Sequence, residues 1–198
     1  MHHRSHGVPA MTALETILTG RAWKIGDSVD TNQLAGGGLE GATRDETLRL
    51  NCLRGVRPDF PDGVREGDIV VAGQNFGCGS ARQSAVEALQ LSGVAAVLAE
   101  SVARIHRRNS IALALPTYAI TGIQDFVDDG DRIQIDYPAR VVRNLSQQTE
   151  LPLPQMPASV ADVYRVGGVL ELIRERLAEA GIVPPDGADS TPVSGSAR

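Results

Sequence analysis

The residues best suited to chemistry lie in one short glycine-rich stretch, residues 73–83. It contains a serine, Ser80, and an arginine, Arg82, which follow a Gly-Cys-Gly sequence. A glycine loop that leads into a helix points unpaired backbone N–H groups and the positive end of the helix dipole at whatever binds above it. The guanidinium of Arg82 adds a fork of donors suited to a carboxylate or a phosphate. The stretch therefore predicts an anion-binding site.

The flanking sequence predicts a strand before this loop and a helix after it. Residues 68–72 form a short apolar run that is typical of a buried strand. Apolar residues at helical spacing follow the loop: Ala85, Val86, Ala88, Leu89 and Leu91. Ser80 and Gln83 also fit a capping box, so the pattern alone favours Ser80 as a helix cap over a catalytic serine. A dinucleotide fingerprint and a phosphate-loop lysine are both missing.

Composition excludes several classes of protein. The 198 residues, 42% of them hydrophobic, suffice for one domain with a real core. A net charge of −5 and an aromatic content of 4% disfavour a nucleic-acid-binding face. The sequence has no apolar run that could span a membrane and no signal-peptide core, so we expect a cytoplasmic protein. Two cysteines, Cys52 and Cys78, provide neither a disulfide framework nor a metal set.

The remaining sequence predicts alternating strands and helices. We expect a flexible tail at residues 1–10, a folded domain over 11–183 and a disordered tail at 184–198. Strands are predicted at 21–25, 67–72, 94–98, 117–121, 132–136 and 140–145. Helices are predicted at 43–52, at 101–109 with Ser101 as cap, at 161–180, and weakly at 11–18. We expect a short strand or turn at 29–34, a loop at 57–64 and an extended connector at 151–157. This order indicates a three-layer α/β domain with a mixed sheet.

A second glycine-rich stretch, residues 36–41, has four glycines among six residues. Glycine loses the most backbone entropy on ordering, so regular structure is costly there. The stretch is either a surface loop without a role or a mobile loop that carries recognition.

Three segments in order resemble one family. Residues 76–82, Phe-Gly-Cys-Gly-Ser-Ala-Arg, resemble the Gly-Ser-Ser-Arg signature of the swivelling domain of the aconitase superfamily. Residues 20–31 resemble the opening strand and turn of that domain, and residues 99–109 resemble its Ser-Phe-Ala-Arg-Ile…Asn helix. The similarity runs from about residue 20 to residue 180 and is greatest to the small subunits of 3-isopropylmalate dehydratase and of its homoaconitase and dimethylmalate dehydratase relatives. It implies the swivelling β/β/α fold.

The resemblance also implies a function. Enzymes of this group dehydrate and rehydrate hydroxy di- or tricarboxylic acids, as in leucine biosynthesis. By match to the motif, Ser80 is the base that takes a proton from carbon, and Arg82 binds a substrate carboxylate beside Gly79 and Ala81. The resemblance implies that an iron–sulfur cluster (4Fe-4S) is held by an aconitase-type large subunit in a heterodimer or heterotetramer. Two distant cysteines cannot supply the three ligands that the cluster expects.

The sequence departs from the family pattern near the predicted site. Ala81 replaces the second serine of the motif, Gln83 and Ser84 replace a Glu-His pair, and Asn32 stands where an aspartate is common. These changes predict a divergent substrate and no loss of function, because Ser80 and Arg82 are both present.

In the family, the loop near residue 40 selects the substrate with a tyrosine-leucine pair, often with an arginine. Here the specificity loop consists of Gly38, Leu39, Glu40 and Gly41, without an arginine. The alternative hypothesis is an anion-binding or regulatory module without catalysis. A neighbouring gene for an aconitase-type large subunit would favour the enzyme.

Overall fold

The fold is built on a mixed sheet of seven strands, in the order β4-β3-β2-β1-β5-β6-β7. The computed structural model describes residues 17–37 and 39–182. The strands are β1 (Ile17–Lys24), β2 (Ile69–Ala72), β3 (Ala96–Ala99), β4 (Thr117–Ala119), β5 (Arg132–Asp136), β6 (Val141–Asn144) and β7 (Thr149–Pro152). Strands β1 to β4 pair in parallel, and β5 to β7 pair antiparallel. Strand β1 joins the two halves, since Ala22 pairs with Ile69 of β2 and Leu18 with Ile135 of β5.

Five helices connect the parallel strands: α1 (Thr31–Ala35), α2 (Arg44–Asn51), α3 (Phe60–Gly63), α4 (Ser84–Leu91) and α5 (Arg104–Ala112). Helix α6 (Ile123–Phe126) lies between β4 and β5, and α7 (Ala158–Val166) and α8 (Val169–Glu179) follow β7. The predicted helix at 43–52 is confirmed as α2, and the sequence pattern also identified its cap correctly. Thr43 and Glu46 form a capping box at its N-terminus.

Two apolar clusters cover opposite faces of the parallel strands. Successive side chains of a strand point to opposite faces, so Val70 and Ala72 join one cluster, whereas Ile69 and Val71 join the other. The first cluster is completed by helical residues such as Leu34 and Leu48. The second is completed by residues of the antiparallel strands: Ile133, Ile135 and Val142. The layers are therefore helix, parallel sheet and antiparallel sheet, which confirms the predicted β/β/α class.

Two predictions near the N-terminus are wrong. Ile17 and Leu18 belong to β1, although a helical start was expected at 11–18; the rest of that segment lies outside the described residues. The segment 29–34 contains helix α1, where a strand or turn was expected. Asp30 caps α1, and its carboxylate accepts from the N–H groups of Asn32 and Gln33, each at 2.8 Å. Gln33 completes the capping box, a signal that was present in the sequence.

Four further predictions need correction. Residues 57–64 contain α3, which begins at Phe60 with a proline in its first turn. Ser101 does not cap α5; its Oγ accepts from the N–H of Asn75 at 2.8 Å, and the helix begins at Arg104. The predicted connector at 151–157 begins inside edge strand β7, where proline is tolerated. The predicted helix at 161–180 is two helices, because Gly167 and Gly168 adopt φ values of 88° and 135°.

The two predicted tails, 1–10 and 184–198, lie outside the described residues. No helix in the described part of the chain is long and apolar enough to cross a membrane.

Candidate functional site

The predicted strand, loop and helix are all present. All four residues of β2 are buried, and α4 begins at Ser84 directly after the glycine loop, residues 73–83. Strand β2 lies between β1 and β3 in the parallel half of the sheet, so the loop emerges at the carboxyl edge of parallel strands. Open α/β sheets bind ligands at this edge.

Backbone hydrogen bonds fix the glycine loop on two sides. Towards α1, the N–H of Gly77 donates to the carbonyl of Val29 at 2.8 Å, and the N–H of Thr31 donates to the carbonyl of Cys78 at 3.0 Å. Towards α5, Phe76 donates to the carbonyl of Ser101 at 3.0 Å and accepts from Ala103 at 2.8 Å. The loop is therefore held in place before any ligand arrives.

Two glycines of the loop adopt left-handed backbone conformations, with φ values of 73° at Gly77 and 91° at Gly79. Gly77 is also sterically restricted, since a Cβ atom there would lie 2.2 Å from Cγ of His106. His106 is buried and stacks edge-on against Phe76, with ring centroids 5.1 Å apart. Burial lowers the pKa of His106 to about 4, so the ring is neutral near pH 7 and adds no charge beneath the loop.

Gly77→Ala should destabilise the folded chain by roughly 2–5 kcal/mol, because left-handed strain adds to overpacking against a buried ring. Urea unfolding of the isolated chain measures the change. Gly26→Ala is the matched control, because no atom lies within 4 Å of a Cβ built at Gly26. Equal unfolding midpoints for the two variants would contradict the close contact with His106.

The predicted capping role of Ser80 is wrong. Helix α4 has Gln83 as its N-cap residue and no side-chain cap. The N–H of Arg82 donates to the carbonyl of Ser80 at 2.9 Å, a tight turn that keeps residues 80–82 outside the helix. Ser80 is exposed, and its hydroxyl bonds to no residue that the structure describes. The hydroxyl is therefore free for another role.

Donors around Ser80 are also unused. Within residues 17–37 and 39–182, no acceptor is bonded to the N–H groups of Gly79, Ser80 or Ala81. The side chain of Arg82 is exposed, and no described carboxylate pairs with it. Successive free N–H groups beside a guanidinium suit a carboxylate or an oxyanion. Gly79, Ser80, Ala81 and Arg82 are consecutive in sequence, and all four are exposed in this loop.

An open groove of about 410 Å³ runs beside α1. Its lining consists of polar residues and glycines: Asp30, Asn32, Gln33, Gly36, Gly37, Asn51, Arg54 and Gly55. Asp30 forms an isolated β-bridge with Cys78, so the groove borders the glycine loop. Sequence reasoning missed Arg54, since only the packing of α2 near α1 brings this residue to the groove.

The second glycine stretch begins at the same groove. Gly36 and Gly37 line it, and the side-chain amide of Asn51 donates to the carbonyl of Gly37. Of the predicted specificity loop, Leu39, Glu40 and Gly41 are exposed, and Gly38 lies outside the described residues. The exposed part of this loop is available for contact with a ligand or a partner.

The cysteines of this chain do not fit an iron–sulfur cluster. Cys52 is buried, and burial raises the pKa of its thiol to about 12, which disfavours the thiolate that iron binds. Cys78 is half-buried, with its Sγ 3.5 Å from the carbonyl oxygen of Ser28. The described residues hold no group of three or more His, Cys, Asp or Glu side chains placed to bind a metal ion.

Comparison with known proteins gives consistent matches. Residues 56–119, which include the whole glycine loop, match the Aconitase C-terminal domain. A 3-isopropylmalate dehydratase small subunit of Methanopyrus kandleri is 40% identical over 161 residues, covering 81% of this chain and 95% of the relative. The homoaconitase small subunit of Methanothermobacter thermautotrophicus is also 40% identical, over 79% of this chain and 91% of the relative.

A solved structure supports the same relationship. The crystal structure of a 3-isopropylmalate dehydratase from Methanocaldococcus jannaschii matches with a TM-score of 0.78 and 33% identity. The match covers 84% of this chain and 98% of that one. The two curated relatives share the same identity with this chain but are named for different substrates, so overall identity does not choose between their acids.

Proposed function

This chain belongs to the 3-isopropylmalate dehydratase small-subunit family of the aconitase superfamily, and from this premise we propose that its glycine loop is half of a hydro-lyase active site. The substrate is a hydroxy di- or tricarboxylic acid. Ser80 takes the proton from a carbon of the acid, and Arg82 binds one of its carboxylates. The single observation that carries the proposal is the exposed hydroxyl of Ser80, which neither caps a helix nor bonds to a described residue.

The proton step can be written for this chain's own atoms. The oxygen of Ser80, as alkoxide, takes the proton, the C–H electron pair forms a carbon–carbon double bond, and hydroxide leaves the neighbouring carbon. Rehydration reverses these changes with the hydroxyl on the other carbon. A serine is a weak base until its alkoxide is stabilised. We infer that the free N–H groups of Gly79, Ser80 and Ala81, together with the guanidinium of Arg82, stabilise negative charge on this oxygen or on the substrate.

The site needs a second subunit. Small subunits of this family imply a large-subunit partner, and we infer that the partner holds the iron–sulfur cluster, since the cysteines here do not fit one. A Lewis acid helps hydroxide leave at neutral pH. The exposed loop carrying Ser80 and Arg82 would then face the partner across the substrate.

Arg82→Ala should lower kcat/KM of the reconstituted two-subunit enzyme at least about tenfold, because a charge-assisted hydrogen bond contributes roughly 1.5–3 kcal/mol. Arg82→Lys should recover part of the loss, since lysine keeps the charge but not the bidentate fork. Steady-state kinetics with the cognate large subunit measures both variants.

The matched control is Arg140→Ala, which removes an exposed arginine from the turn between β5 and β6. Its kinetics should equal those of the unmodified enzyme. Unchanged kinetics for Arg82→Ala would instead remove Arg82 from the site.

A further inference from the structure

A buried hydroxyl without a hydrogen-bond partner lies directly beside the glycine loop. Thr31 is only 2% exposed, and its Oγ1 finds no partner among the residues that the structure describes. A buried polar group left unsatisfied destabilises a fold, whereas an apolar group of the same shape would not. Valine has nearly the shape of threonine, so packing alone does not explain a hydroxyl at this position.

The helix that contains Thr31 does not need this hydroxyl either. The carboxylate of Asp30 already accepts from the N–H groups of Asn32 and Gln33 at the start of α1. A threonine inside a helix often bonds to the carbonyl four residues earlier. Thr31 is the first residue of α1, so that carbonyl, on Asp27, lies outside the helix. The hydroxyl therefore has no role in helix capping.

The position of Thr31 relative to the loop suggests a different role. The N–H of Thr31 donates to the carbonyl of Cys78 at 3.0 Å. A Cβ atom built at Gly79 would lie 3.5 Å from Oγ1 of Thr31. Gly79 immediately precedes Ser80. Thr31 Oγ1 is one of the buried side-chain hydroxyls in the described chain that lack a partner, and it therefore lies beside the residue that precedes the proposed base.

We propose that Thr31 is a positioning residue for the proton transfer: in the substrate complex its hydroxyl donates a hydrogen bond to Oγ of Ser80. The proposal rests on the proposed function of Ser80. A hydroxyl has one proton to donate, and a donor to a charged oxygen forms a stronger bond than one to a neutral oxygen. The bond stabilises the alkoxide form that accepts the proton from carbon. Thr31 keeps its own proton throughout, so only Ser80 gains one.

Two substitutions of Thr31 separate the hydroxyl from the packing. Thr31→Val removes the hydroxyl and keeps the volume, and Thr31→Ser keeps the hydroxyl. In the enzyme reconstituted with its large subunit, Thr31→Val should lower kcat by about 10- to 100-fold while KM changes less than about twofold. Thr31→Ser should stay within about threefold of the unmodified kcat. The melting temperature of the isolated chain should not fall in Thr31→Val, because the lost hydroxyl was unsatisfied.

A kinetic isotope effect tests whether the lost rate belongs to the proton step. With substrate deuterated at the carbon that loses its proton, Thr31→Val should show a larger isotope effect on kcat than the unmodified enzyme, because proton transfer has become slower relative to the other steps. A purely structural role would not raise the isotope effect. Tyr137→Phe is the matched control: it removes another buried hydroxyl that lacks a partner among the described residues, keeps the aromatic ring against Tyr118, and lies in the apolar cluster on the other face of the parallel strands. Its kcat should stay within about threefold.

Three outcomes would overturn the proposal: unchanged kcat in Thr31→Val, an unchanged isotope effect despite a lower kcat, or an equal effect of Tyr137→Phe. Ser80→Ala, assayed in parallel, distinguishes the two levels of inference. If Ser80→Ala is inactive and Thr31→Val is normal, only the role of Thr31 fails. If Ser80→Ala is fully active, the proposed function of the loop is wrong, and the role of Thr31 that rests on it is wrong as well.

Discussion

The Ser80→Ala variant, mixed with the large subunit, is expected to lose turnover, with kcat lower by at least about 100-fold. General acid–base groups contribute factors of roughly 10² to 10⁴. Substrate affinity should change less than about twofold, because a base acts in the transition state and contributes little to ground-state binding. The fold should be unaffected, since the side chain of Ser80 is exposed and caps no helix.

Steady-state kinetics and direct substrate binding to the reconstituted complex measure the two parts of this prediction. Ser84→Ala is the matched control: it makes the same chemical change four residues later, at the first position of α4. Alanine is a strong helix former, so this control should fold and turn over normally. A Ser80→Ala enzyme as active as Ser84→Ala would show that the hydroxyl of Ser80 is not the base.

The second large effect concerns the isolated chain. We expect no dehydration of any hydroxy acid by this protein alone, with or without added iron and sulfide. The iron–sulfur cluster that we propose for the partner is expected to take three cysteine ligands, whereas this chain has two cysteines, one of them buried with a raised thiol pKa. Activity should appear on addition of a cluster-bearing large subunit and saturate when the subunits are stoichiometric.

Titration of the large subunit into a fixed amount of this chain, assayed anaerobically, measures that dependence. The same titration with Gly77→Ala is the control for a chain whose glycine loop is distorted, because a Cβ atom at this position would contact the ring of His106. Turnover by the isolated chain would refute the two-subunit account.

The features that could be predicted from sequence are those with strong local signals. The buried run before the glycine loop predicted β2, and the helical spacing after it predicted α4. Clean alternation at 132–136 predicted β5. Strands alternating with helices, followed by hairpin strands, were enough to indicate the layered α/β class.

Two errors concern the caps of helices. Ser80 and Gln83 fit a capping box, but the turn between Ser80 and Arg82 places the helix start later, at Ser84. In contrast, the capping box of Asp30 and Gln33 is real and was missed, because a five-residue helix has almost no periodic signal. Short local signatures therefore identified a helix start near the loop but not its exact residue.

Other features depend on tertiary contacts and have no signal in the sequence. Arg54 reaches the groove only because α1, α2 and the turn after α2 pack together. The sequence does not show that the hydroxyl of Thr31 is buried without a partner or that it lies beside Gly79. Residues 151–157 were predicted to be a connector because they contain three prolines, but Leu151 and Pro152 pair with β6 as the end of edge strand β7.

The central claim is that Ser80 of this chain supplies the base in a site that a large subunit completes. One anaerobic assay tests it most directly, by following the absorbance of the unsaturated acid intermediate. Three samples are compared: the isolated chain, its mixture with the large subunit, and the same mixture made with Ser80→Ala. We predict intermediate formation only in the unmodified mixture. Intermediate formed at the full rate by the Ser80→Ala mixture, or by the isolated chain, would contradict the account.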